Sequence, residues 1–124
     1  MSDLYPFLAV RDTAAAARFS EAAFGARVVE EFGPVLVLEI DGRRVGLAPE
    51  APELQTPSPE TIGATTVRLS LHVDDADATA ERAVAAGATV MFPVEDQPYG
   101  LRQGRVVDPF GHHWLIANEL EKAS

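Results

Sequence analysis

Cysteine is absent from the 124 residues, which rules out disulfide staples, thiolate metal sites and cysteine nucleophiles together. Basic side chains are scarce, ten against nineteen acidic ones, for a net charge of −9. A nucleic-acid partner is not expected, because phosphate binding needs clustered Lys and Arg. Long apolar runs are missing as well. No stretch approaches membrane length, and the opening MSDLYPFLAV has neither the basic lead nor the apolar core of a signal peptide, so a cytoplasmic protein without a membrane partner is expected. The acidity has two readings, a surface that keeps the protein soluble or a field that draws in a cationic ligand.

What is present is a folded composition, 47% hydrophobic and 23% charged, in a length suited to one domain with a real core. The chain also repeats itself. VRDTAAAARFSEAAFGARVV at 10–29 and VDDADATAERAVAAGATVM at 73–91 each read as a strand end, an acidic helix start, an Ala-rich helix, a Gly stop and a β-branched run. Gly25 and Gly87 lie 62 positions apart, half the chain length. Such a repeat implies two copies of one supersecondary unit, facing each other with a ligand concavity between them.

In the first copy, Leu4–Val10 alternates as a strand, with Leu8 and Val10 on one face and Tyr5, Phe7 and Ala9 on the other. Asp12 or Thr13 caps a helix carrying the stripe Ala16, Phe19 and Ala23, which Gly25 ends. Strands are expected at 27–32, 35–40 and 43–48, the last two joined by an Asp41-Gly42 hairpin turn. The second copy opens with a strand from Thr66 that sets Val67, Leu69, Leu71 and Val73 against Arg68, Ser70 and His72. Asp75 is the expected cap of a helix stopped at Gly87, followed by strands at 89–94, 104–107 and 113–118. Modules 1–48 and 64–124 are joined by the Pro-rich segment 49–63, a spacer or a flap over a ligand.

Three segments carry a resemblance: YPFLAVRDTAAAARF…AAFGA at 5–26, LHVDDADATAERAVAAGATV at 71–90, and PVEDQPYGLRQGRVVDPFGHHWLIA at 93–117. They resemble the vicinal oxygen chelate superfamily, which holds glyoxalase I, bleomycin-resistance proteins and extradiol dioxygenases, and within it the PhnB-like group. The third segment is the most specific, with Tyr-Gly, Arg and Asp-Pro-Phe-Gly-His-x-Trp in order. The group more often has Asp after Tyr-Gly, where this chain has Leu101. The resemblance implies an α+β fold of two βαβββ modules forming an open eight-stranded barrel, and a homodimer with its ligand sites near the interface.

In metal-dependent relatives, His or Glu side chains from the first and last strands of each module converge on one divalent ion. The corresponding positions here are Tyr5, Leu47, Arg68 and Leu115, or Gly46 or Ala48 if the fourth strand slips by one. None is a usual ligand, so no metal and no other cofactor is expected. A separate His72–His113 metal pair remains an alternative to hydrogen-bonding histidines. Trp114 reads as core.

The expected ligand-binding wall is Tyr5, Phe7, Leu47, Arg68, Ser70, His72, Tyr99, Arg102, His113 and Leu115. Tyr5, Phe7 and Tyr99 offer flat faces for a ring or a delocalised cation. Arg68 pairs either with an anionic ligand group or with a local carboxylate. Gln97–Gly100 resembles the loop that stacks on the drug in bleomycin-resistance proteins, while Pro-Tyr-Gly is also an ordinary turn. The expected function is metal-independent binding of a small planar or cationic antibiotic-like molecule. The alternative is a glyoxalase-like lyase or isomerase, with His72, His113 or Tyr5 moving protons on a carbonyl compound.

Overall fold

Both long helices start at an aspartate. Asp12 accepts from the Ala15 amide at 3.0 Å and Asp75 from the Ala78 amide at 3.1 Å, each holding a free first-turn N–H. The computed structural model describes Met1–Glu121. In chain order its elements are β1 (Phe7–Val10), α1 (Thr13–Phe24), β2 (Arg27–Phe32), β3 (Val35–Ile40), β4 (Arg43–Pro49), α2 (Pro59–Ile62), β5 (Arg68–His72), α3 (Ala76–Ala85), β6 (Thr89–Asp96), β7 (Leu101–Val107) and β8 (His113–Glu119). Gly25 ends α1 in the left-handed conformation, at φ 69°. Helix α3 stops one residue before the expected glycine, on Ala86.

The four strands of each module form one sheet, ordered β1-β4-β3-β2 and β5-β8-β7-β6. The first and last strands of a module run parallel, and the rest are antiparallel. This is the α+β arrangement of two βαβββ units. The eight strands curve without closing into a barrel. Helices lie on one side of the sheets, where Leu8, Val10, Leu38, Leu47, Trp114 and Ile116 build the core. The Ala-rich faces of α1 and α3 let the two helices pack on each other, and Phe24 reaches across to Trp114 with ring centroids 4.5 Å apart.

The turn before β8 joins the modules. Asp108 accepts from the Phe110 and His112 amides and from Trp114 Nε1, at 3.0, 2.9 and 3.0 Å. His112 Nε2 in turn lies 3.0 Å from the Ala9 carbonyl in β1.

The strand ends and the Pro-rich segment differ from the pattern expected of the sequence. Strand β1 begins at Phe7, and Leu4 stands in solvent. Strand β7 begins three residues earlier than expected, at Leu101. The Pro-rich segment holds a 3-10 turn at Pro52–Leu54 and the single-turn helix α2, each started by a proline whose missing N–H costs nothing there. Glu50 anchors the segment, accepting from the Ser58 amide and hydroxyl and from Thr61, with Arg11 alongside. These bonds hold the Glu50 carboxyl below its usual range, the Ser58 amide contributing most.

Candidate functional site

Because strand neighbours point to the same side, the register fixes which side chains share the helix-free face. On the second sheet three rows cross it: Arg68–His113–Val107–Thr89, Ser70–Leu115–Arg105–Phe92, and His72–Ala117–Gln103–Glu95. On the first sheet the row is Phe7–Gly46–Val37–Glu30. The ring of Phe7 lies flat on β4, so close that a Cβ on Gly46 would sit 2.4 Å from it. Tyr5 packs beside Phe7 at 5.8 Å between ring centroids. Both faces are open: Phe7 is 51% exposed and Phe92 57%.

The structure brings Tyr5, Phe7, Arg68, Ser70, His72, His113 and Leu115 to these open faces. It corrects Leu47. That side chain pairs with Leu8 on the helix-covered side and is 2% exposed, so Gly46 takes the outward position and Leu47 belongs to the core.

Arg102 is also corrected. It sits in register with Asn118 and Asp96 and turns towards α3. There its Nε and Nη2 donate to Asp77 at 2.7 and 3.0 Å, and Nη1 donates to Asp96 at 2.8 Å. The guanidinium keeps Asp77 below the usual carboxylate range, chiefly through those hydrogen bonds. It is a fastening between β6, β7 and α3.

Tyr99 stands at the tip of the β6–β7 turn and donates its hydroxyl to Gln103. It borders a groove of about 350 Å³ with Phe92, Gln103, Arg105 and Leu115. Arg68, Ser70 and His72 border a second cleft, of about 600 Å³, along the free edge of β5, where Arg43 and Arg44 also reach.

His72 and His113 do lie on neighbouring strands, but Arg68 faces His113 while His72 faces Ala117. Four residues of strand, about 13 Å, separate the imidazoles along β5 and β8. Among the described residues no three His, Asp or Glu side chains converge as an ion site.

Arg105 and Phe92 were missed as site residues. The guanidinium carbon of Arg105 lies 5.4 Å from the Phe92 ring centroid, and Nη1 reaches Met91 Sδ at 3.6 Å. Arg105 Nε and His113 Nδ1 are the buried side-chain polar atoms left without a partner among the described residues. Reading the period-two alternation back from Val107 to Leu101 would have placed Arg105 on the Leu115 side.

Paired βαβββ units, each with one sheet face covered by helices and the other left open, define the fold class. The chain belongs to the Glyoxalase/Bleomycin resistance protein/Dioxygenase superfamily, whose model matches residues 4–116. A relative from Mycobacterium bovis, described as an uncharacterized protein, is 38% identical over 130 residues, covering 98% of this chain and 86% of its own. The crystal structure of a glyoxalase/bleomycin resistance protein/dioxygenase family enzyme from Burkholderia phytofirmans PsJN superposes with a TM-score of 0.78. It is 26% identical over 96% of this chain and all of the other. The fosfomycin resistance protein FosX from Mesorhizobium loti shares the fold, with a TM-score of 0.69 and 20% identity over 97% of this chain and 92% of its own.

The resemblance implies a divalent ion held by the first and last strands of each module. With β4 in its observed register the four positions are Tyr5, Gly46, Arg68 and Leu115. A phenol, a bare backbone, a guanidinium and an alkyl chain do not fit such an ion, which needs imidazole or carboxylate donors.

Proposed function

We propose that this protein binds a small planar molecule against its open sheet faces without a divalent ion, and that a second copy of the chain covers those faces. The observation that carries this reading is the replacement set Tyr5, Gly46, Arg68 and Leu115, set among the aromatic surfaces of Phe7 and Phe92. Exposed aromatic and aliphatic groups flanked by a few polar ones are the ordinary makeup of a ligand wall. Sequestration of an antibiotic-like compound is the form of this function that the PhnB-like and bleomycin-resistance resemblance suggests. Carbonyl chemistry through His113 has less support, because among the described residues no carboxylate or other partner orients its Nδ1.

Calorimetric titration with a panel of planar aromatic compounds, in excess chelator and again with added manganese or nickel, tests the metal independence. Binding should be the same within about twofold in both conditions. Binding or turnover that appears only with the ion refutes the reading.

A further inference from the structure

We infer that the ligand of the second module's open face carries an oxyanion on a flat ring, held between Arg105, His113 and Arg68; this rests on the binding function proposed above. Two buried side-chain nitrogens without partners, Arg105 Nε and His113 Nδ1, fall on one face, and the Nδ1–H tautomer or the imidazolium makes both of them donors. Arg105 is opposite Leu115, and His113 is two residues before Leu115 on the same strand. They are therefore diagonal neighbours, with backbones about 7–8 Å apart. Arg68 flanks His113 from the other side, directly across the β5–β8 pairing. A single carboxylate or phosphonate accepting at about 3 Å bridges donors spaced this way.

The charges point in the same direction. Neither Arg68 nor Arg105 forms an ion pair among the described residues, a state shared with Arg18, Arg43, Arg44 and Arg82, so both guanidinium charges stay free for a ligand. Glu95 is on the same face but one row away, level with Gln103. Buried donors are nearly always satisfied in a native protein, so orphaned ones at an open face indicate an acceptor that arrives from outside. The Phe92 ring beside Arg105 and the Leu115 side chain between the donors supply the apolar surface for the ring of the ligand. The local charge of the face thus opposes the net charge of −9, and an anion is favoured there over the cation that the whole-chain charge suggests.

The test is calorimetry on the full chain with benzoate, phenylphosphonate, benzamide and benzamidine at fixed ionic strength. At least one of the two anions should bind tenfold or more tightly than benzamide, the neutral isostere of benzoate. Arg105→Gln should abolish most of that preference, lowering affinity for the anions far more than affinity for benzamide. His113→Asn, which keeps a donor near the Nδ1 position, should retain the preference better than His113→Leu. Equal affinity for benzoate, phenylphosphonate and benzamide, or tightest binding of benzamidine, overturns the oxyanion assignment and leaves the binding function standing. So does an anion preference that survives in Arg105→Gln. Binding of none of the four overturns both. If Arg105→Gln does not fold, as judged by circular dichroism, the wild-type preference alone decides.

Discussion

Gly46 and Leu47 are adjacent residues with opposite duties, and the difference between them is a single step of register. Leu47 is buried against Leu8, whereas Gly46 lets the Phe7 ring lie across the strand. Leu47→Ala should cost about 2–5 kcal/mol of stability by opening a cavity in the core. It should leave ligand affinity in the folded fraction unchanged, which denaturant melts together with titration will show. Gly46→Ala should cost less, about 1–3 kcal/mol, because the ring it displaces is half exposed and can swing away. Its signature is a shifted Phe7 ring resonance and weaker binding of planar ligands. This is also where the sequence misled. In RRVGLAP the run Val45, Gly46 and Leu47 is buried on both faces, so no polar residue marks which way the strand points. A slip of one then flips every side chain. Arg68, Ser70 and His72 alternate cleanly with Leu69 and Leu71, and there the open face was legible from the residues alone.

Among the elements, helices and turns were the most readable, because their signals are local: Asp12 and Asp75 as caps, Gly25 as a stop, Asp41-Gly42 as a turn. Helix α2 gave no signal, since one turn shows no period of 3.6. Arg102 was misread for a different reason. Its partners are 25 and 6 residues away, and only the folded packing of α3 against β7 brings Asp77 to it. Arg102→Gln should therefore lower Tm by a few degrees and leave ligand titrations unchanged, the reverse of what a binding-wall residue would do.

The same fastening sets a pH response. Asp77 and Glu50 have folded-state pKa values below their ordinary ones, so the folded state holds fewer protons than the unfolded chain in that range. Their stabilisation is present above the ordinary carboxylate value and disappears as pH falls through the lowered one. Asp108 works the opposite way. Burial raises its pKa, so its contribution declines as pH rises from the ordinary value through the raised one. Acid melts of Asp77→Asn should show a shallower loss of stability below about pH 4 than the parent protein.

At the scale of the whole molecule, one chain leaves its concave faces uncovered. The contacts that join the modules, His112 to Ala9 and Phe24 to Trp114, involve the turn before β8 and the helix side. They cannot shield Phe7, Phe32 or Phe92, and Phe32 is 63% exposed. Exposed aromatics of this size are the surface that the proposed second copy would cover. Phe32 is on the first sheet, while Arg105 is on the second. Within a single chain, a charge at Phe32 lies on a different sheet from the proposed oxyanion site. If the first sheet of one copy closes over the second sheet of another, Phe32→Glu should act at both places. Sedimentation equilibrium at tens of micromolar protein should then show a dimer for the parent and a monomer for the variant, and benzoate affinity should fall about tenfold in step. A parent chain that sediments as a monomer at that concentration, or a monomeric variant that binds benzoate as tightly as the parent, would remove the second copy from the site.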